Sequence, residues 1–317
     1  MRQSEERFSG DSAVPQADSG LTSSALFVAA MPPLFVFLWA TGFVFTKLGM
    51  PYVEPMTFLV LRFVLVISLM LPIALLWRAR WPHSWPAALH IVASGALIHG
   101  GYLGGVFSAI HAGMSAGVIA LVCGLQPILT AFAAAPMLGE SVSRVQWLGL
   151  ALGFGGVALV VWQKINLQGL DPVSIAWAIE ALFAITAGTL YQKRYCPSFD
   201  LRAGSVIQFV AAFALLLPLA LMTETMHVEW SAQFVFAIGW LALVLSIGAV
   251  SLLFVLIKHG EATRVSSLFY LTPLATAAMA WFAFEEHLNW MALAGMVIGV
   301  TGVALVLRRP DLPATEI

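Results

Sequence analysis

Displaced by 146 residues, the chain aligns with itself without a gap from its first apolar segment to its last. Lys47, Pro51, Phe63, Pro72, Ala74 and Leu75 fall on Lys193, Pro197, Phe209, Pro218, Ala220 and Leu221. Ala116, Leu125, Pro127, Thr130, Ala131, Ala134 and Glu140 fall on Ala262, Leu271, Pro273, Thr276, Ala277, Ala280 and Glu286. Gly149, Gly153 and Gly156 fall on Gly295, Gly299 and Gly302. Prolines, a carboxylate and a spaced glycine set at one constant offset are hard to obtain by chance, even in apolar sequence. The chain is two copies of one unit, and it should act where the copies meet.

The solvent of that unit follows from its residues. They are 60% hydrophobic and 10% charged, with mean hydropathy +0.91, outside the range of a water-soluble domain. Ten stretches are long enough to cross a hydrocarbon core of about 30 Å. They run 28–47, 56–77, 88–109, 114–138, 145–162, 173–192, 203–222, 233–257, 264–284 and 289–307. Open strands cannot satisfy their backbone groups in lipid, and the alternating pattern of an outer-membrane barrel is absent. The expected fold is all-α, a polytopic membrane protein of ten transmembrane helices.

Orientation follows from the lysines and arginines. With the N-terminus in the cytoplasm, twelve of the fifteen lie on the cytoplasmic side, including Arg78, Arg80, Arg144, Lys193, Arg194, Arg202, Lys258 and Arg264. Only Lys47 and Lys164 lie outside, and Arg62 lies within a helix. Both termini are therefore expected in the cytoplasm. Five helices per copy is an odd number, so the second copy enters the membrane upside down. Two inverted five-helix repeats have two nearly equivalent packings, and alternating access follows from exchanging them. The expected organisation is a disordered cytoplasmic tail over 1–25, repeats at 26–162 and 172–309, and a tail over 310–317. The first helix lacks the order of a cleavable signal and is expected to be retained.

Charge inside the membrane costs at least roughly 2.5–3.5 kcal/mol and usually marks a partner or water. Arg62 and Glu180 each lie about seven residues into their helices from the outer side, or roughly 10 Å deep at 1.5 Å per residue. They could pair with each other, bind the carboxylate and ammonium of a substrate, or carry a coupling proton. Gln208 is the repeat-mate of Arg62 and points to the same level. His99, beside Gly100, Gly101, Tyr102, Gly104 and Gly105, suits a proton relay or a neutral, hydrogen-bonded histidine on a thin, bendable wall. Pro127 and Pro273 should interrupt the fourth and ninth helices. The freed carbonyls, with Gln126, Thr272 and Tyr270 near them, could face a cavity, or the prolines could only shape the bundle. Trp39 is the strongest candidate for an aromatic wall, ahead of Trp177, Trp240 and Trp281. Gly149, Gly153, Gly156, Gly295, Gly299 and Gly302 read as close-packing faces of the fifth and tenth helices. Glu140 and Glu286 suit the positive N-termini of those same helices.

Other function classes lack their marks. No nucleophile–base pair or ligand cluster such as His-Glu-x-x-His points to an enzyme, no ring of like charges points to a channel, and no P-loop points to direct ATP drive. Cys123 and Cys196 suggest neither a disulfide nor a metal site. No catalytic residue, metal or cofactor is expected. The alternative to a carrier is a channel or a structural membrane protein.

The run Trp39-Ala40-Thr41-Gly42-Phe43 ending in Lys47, then Pro55 to Phe58 and Leu61-Arg62-Phe63, resembles the opening of EamA-domain proteins of the drug/metabolite transporter superfamily. So does Leu138-Gly139-Glu140 followed by Gln146-Trp147-Leu148-Gly149, which recurs as Phe284-Glu285-Glu286 to Gly295. The resemblance covers residues 26 to 309. It implies a ten-helix carrier of small metabolites in the bacterial inner membrane, of a kind that often exports amino acids or drugs. Ile185-Thr186-Ala187-Gly188 lacks the tryptophan held by Trp39, which makes the two halves of the cavity chemically unlike. The expected partners are a small-molecule substrate and the lipid bilayer, with a proton as candidate coupling ion and no nucleic acid. Oligomeric state is left open.

Overall fold

Without water, each apolar segment must satisfy its own backbone groups, which a helix does within itself. The computed structural model describes residues 19–114, 116–162, 171–284 and 289–308, and these are helical apart from short connections and one isolated bridge between Val53 and Val228. The tails at 1–18 and 309–317, the 163–170 connection holding Lys164, and Glu286 lie outside the described residues. The first segment is α1 (Ser19–Gly49) and the second α2 (Pro55–Leu76). Helix α1 begins inside the stretch whose composition predicts disorder, because extending an existing helix costs far less than nucleating one.

The third segment is α3 (Trp85–Gly95) and α4 (Tyr102–His111), joined by a π-helical turn at Ala96–Gly101. The fourth is α5 (Ala116–Cys123) and α6 (Gln126–Leu138), and the fifth is α7 (Arg144–Val161). In the second copy, α8 (Pro172–Tyr195) and α9 (Leu201–Thr223) are followed by α10 (Ala232–Trp240) and α11 (Val250–His259). A second π-helical turn, Leu241–Ala249, joins the latter pair. Then come α12 (Ala262–Ser267), a 3-10 turn at Leu268–Tyr270, α13 (Leu271–Phe284) and α14 (Trp290–Leu307). Sequence-local caps fix several starts: Asp171 accepts from Ser174 N at 2.6 Å, and Asn289 from Ala292 N at 2.7 Å.

Among the described residues, nine helical stretches are long and apolar enough to cross a membrane. The ninth segment, expected as 264–284, is instead divided into α12, the 3-10 turn and α13, and is not among those nine. Its repeat counterpart breaks between Cys123 and Gln126. Pro127 and Pro273 each lie in the first turn of the helix after the break, where the missing N–H costs no helical bond. The paired π turns came without a sequence signal.

Two pairs of repeat-mates hold the copies together. Helices α7 and α14 meet backbone to backbone. A Cβ on Gly149 would lie 2.6 Å from the Gly302 carbonyl oxygen, and one on Gly156 would overlap the Gly299 backbone. The second pair, α2 and α9, is clamped at both ends by carboxylates that are themselves repeat-mates. Glu54, preceding α2, accepts from Thr225 N at 2.7 Å and Met226 N at 3.1 Å beyond the end of α9. Asp200, preceding α9, accepts from Arg80 N at 3.0 Å beyond the end of α2. Glu224 adds bonds from Met56 N and Thr57 N, both at 2.7 Å. Since Glu54 and Asp200 clamp opposite ends of an antiparallel pair, the repeats are inverted. Arg202, bound to Asp200 at 2.7 Å, holds that carboxyl well below the usual carboxylate range. Thr225 bonds lower Glu54 as well. A depressed carboxyl stabilises the fold above its unfolded pKa and loses that effect only as pH falls through the lower folded value. The clamps therefore stay charged throughout the neutral range.

Candidate functional site

Where the copies meet, both helix breaks border one partly open space of about 40 Å³. Trp39 from α1, Tyr102 from α4 and Ile185 from α8 form one side; Gln126 and Thr272–Pro273, at the two breaks, form another. A smaller space of about 10 Å³ lies beyond Gln126, bounded by Thr189 and Ser266. Each water needs roughly 10–15 Å³ measured in this way, so the pair holds a few waters and no metabolite. Around the larger space the buried polar atoms Gln126 Nε2 and Thr272 Oγ1 have no hydrogen-bond partner. Buried polar atoms are nearly always partnered, and these are free to meet a ligand or ordered water.

Trp39 belongs to an aromatic trio. Its ring lies 5.2 Å from both Phe35 and Phe269, and those two lie 5.4 Å apart. Sequence reasoning reached Trp39 but missed its partners, since phenylalanine in a lipid-soluble helix carries no directional signal. Tyr102 lines the cavity with Trp39 and lies within electrostatic reach of Arg62. It links the aromatic cavity to the buried cation.

Arg62 is 3% exposed. Its Nε donates to Ser246 Oγ at 2.9 Å, and Ser246 lies in the second π turn. The first π turn supplies His99, whose ring stacks on Phe209 at 4.4 Å and whose Nε2 is buried without a partner. Arg62 forms no ion pair with any described residue. One hydrogen bond donated to a neutral serine returns only part of the several kcal/mol needed to dehydrate a cation. The two π turns thus border an uncompensated positive charge, and such turns are frequent at functional sites. Ser246 left no trace in the repeat pattern, because its counterpart is Gly100.

The remaining candidates separate. Glu180 does not meet Arg62; it lies against Gly101 and Gly105 of the third segment, with Oε2 buried and unpartnered. Equal depth does not bring two side chains together when their helices present different faces. Gln208 donates to Ser94 Oγ at 2.7 Å and Gln192 Oε1 at 2.9 Å, an amide network away from the cavity. Arg62 and Gln208 therefore each reach a serine in the other repeat's π-containing segment. Tyr270 packs its ring on Gly153, with its hydroxyl buried and unpartnered. Trp240 stacks on Phe45 at 4.7 Å and donates to Thr41 Oγ1 at 3.0 Å, while Trp177 is 36% exposed. The Trp281 side chain lies outside the described residues.

The face carrying Lys193 and Arg194 holds a further tie between the copies. Gly139 ends α6 with a left-handed φ of 71°, which a side chain would resist, and this turns Glu140 back toward the bundle. Glu140 then accepts from Ala262 N, the first residue of α12, at 2.8 Å and pairs with Lys193 Nζ at 2.8 Å. Lys193 also donates to the Gly260 carbonyl. Glu140 thus caps the ninth segment and not the fifth, where the expectation placed it. Helix α7 has its own capping box, Ser143 with Gln146, and its N-terminus needs no further acid.

Comparison with known proteins bears on this arrangement. The sequence profile of the EamA-like transporter family matches twice, over residues 26–162 and 172–308. The chain is 26% identical over 296 residues to the uncharacterized transporter YvbV of Bacillus subtilis, covering 90% of this chain and 92% of that one. It is 27% identical over 279 residues to a probable amino-acid metabolite efflux pump of Salmonella typhimurium, covering 85% and 91%. The uncharacterized inner membrane transporter YedA of Escherichia coli is 24% identical over 271 residues, covering 84% and 87%. One solved crystal structure superposes with TM-score 0.73 at 18% identity, covering 90% of this chain and 97% of the other, and shares the fold.

Proposed function

The chain belongs to the EamA-like transporter family, a multi-pass membrane transporter and not an enzyme, and on that premise we propose that it is a secondary carrier exporting a small carboxylate-bearing amphipathic solute. The substrate class is an apolar or aromatic amino acid, or a drug-like solute of similar shape. The observation that carries this reading is Arg62, a buried cation without a counter-ion among the described residues, joined through Tyr102 to an aromatic cavity between the repeats. A carboxylate supplies the missing charge, and the Trp39 trio takes the apolar part. Gln126 and Thr272 offer further hydrogen bonds.

The cavity is too small for such a solute as it stands. Transport therefore requires that it widen past Tyr102 toward Arg62, first from one face and then from the other. The inverted repeats, at 26–162 and 172–309, support this alternation, and the Glu140–Lys193 tie supports a state closed on the basic face. Orientation with both termini inside follows the positive charges. Tags at residues 1 and 317 should be shielded in intact cells, and a tag after Asn166 should be reached; external labelling of both termini would reverse the assignment. The names of the Salmonella and Escherichia relatives support export across an inner membrane. A proton is the proposed coupling ion.

The test is solute flux in proteoliposomes against a panel of phenylalanine, leucine, tryptophan and related carboxylates. Saturable uptake accelerated by solute on the opposite side is expected. Flux linear in concentration would mark a pore, and no flux of any carboxylate would remove the substrate class.

A further inference from the structure

A half-buried carboxyl side chain that pairs with no described cation and does not line the cavity has no role in the cycle as described so far. Glu180 is that group. It is half-buried on α8, and the neighbouring Ile179 and Phe183 are 45% and 59% exposed, so this side of the helix meets lipid. The carboxyl rests on the backbone of the third segment. A Cβ on Gly101 would lie 2.8 Å from its Oε1, and a Cβ on Gly105 would overlap its Oε2. Both are glycines at the one place where a side chain would expel the carboxyl.

The elements packed around Glu180 offer no positive charge. The third segment presents Gly101 and Gly105, and Ala184 follows on α8 itself. Helix α5 presents Cys123, the titratable group within electrostatic reach, which also lines the cavity. No lysine, arginine or histidine among the described residues pairs with Glu180. A carboxylate with no counter-charge in hydrocarbon is strongly disfavoured, and a neutral carboxylic acid is not.

We propose that Glu180 is a proton-binding site on the lipid-facing seam between the third and sixth membrane segments, outside the lining of the substrate cavity and meeting its edge only at Cys123. The proton binds to a carboxylate oxygen and leaves from it, with no other bond changed. The protonated form lies on the glycine seam. The ionised form must leave it for the polar edge at Cys123, and this couples proton release to slippage of α4 along α8. The π turn at Ala96–Gly101, immediately before α4, places a locally loosened backbone at the seam's edge. The coupling half of this inference rests on the carrier reading; the proton site does not.

Dicyclohexylcarbodiimide, which enters through lipid and reacts with protonated carboxyls, separates the two. In proteoliposomes of the whole protein, mass spectrometry should find Glu180 modified, several-fold more at pH 6 than at pH 9. No modification at either pH, or equal modification at both, would overturn the site whatever the transport assay shows. Glu180→Gln should keep counterflow of phenylalanine, leucine or tryptophan and lose accumulation driven by a pH gradient, and Glu180→Asp should restore part of it. Loss of counterflow together with accumulation, or pH-driven accumulation unchanged, would overturn the coupling role. If wild-type protein is labelled as expected but moves no solute by counterflow, the carrier reading fails and the proton site stands.

Discussion

Arg62→Gln should nearly abolish transport while leaving the protein folded. Losing a buried charge that binds an opposite charge costs about 2–5 kcal/mol, or roughly 30- to 3,000-fold in affinity. The loss should therefore appear as a rise in half-saturating concentration or as absent flux. Stability should move the other way or not at all. A static buried ion pair would leave its partner uncompensated when one side is removed, at about 3–5 kcal/mol, but Arg62 has no such partner among the described residues. Its one bond, to Ser246 Oγ, can be made by a glutamine amide. The other repeat already holds Gln208 at the equivalent position, bonded to Ser94 Oγ. Flux assays and thermal melting in detergent on the same preparation check both halves. Full-rate transport by Arg62→Gln would eliminate the carboxylate site, and misfolding of the variant would show that the cation is structural.

Gly156→Val should be the most damaging single change to the fold, and Gly155→Ala one residue away should be harmless. A Cβ on Gly156 overlaps the backbone of Gly299, and backbone cannot rotate aside. The strand of contacts from Gly149 to Gly302 would have to part, and in lipid no hydrophobic force replaces that lost packing. Overpacking of this kind costs about 1–3 kcal/mol or more, a fall in melting temperature of roughly 6–12 °C for the upper end. Gly155 has nothing within 4 Å of a built Cβ, and alanine is favoured over glycine in a helix by up to about 1 kcal/mol. Its melting temperature should stay level or rise slightly. Equal effects at the two positions would mean that α7 and α14 do not meet along this face.

Much of the fold was legible because it depends on short-range or repetitive information. Apolar length set the spans, the 146-residue offset exposed the duplication, and prolines marked where the fourth and ninth segments part. The clamp formed by Glu54 and Asp200 was also readable in principle, as acids at one offset, each just before a helix. It was missed because its meaning lies in the backbone amides it reaches, 120 to 172 residues away. Glu140 shows the same limit. Its position after Leu138-Gly139 is local, yet it caps α12 and not the helix that follows it.

The sequence by itself determined that this chain is an inverted duplication built of membrane helices, and that a few polar groups are stranded inside it. It did not determine which of those groups meet. In a soluble protein the polar stripe of a helix reveals its outward face, but lipid is as apolar as a protein core. These helices are apolar on nearly every side, and the face turned inward leaves little pattern. Tertiary packing alone placed Arg62 against Ser246 beside Tyr102, sent Glu180 to a glycine seam at the same depth, and brought Phe35 and Phe269 to Trp39. Each of those outcomes depends on how a helix is turned about its axis, at about 100° per residue, and packing against the other copy decides that turn.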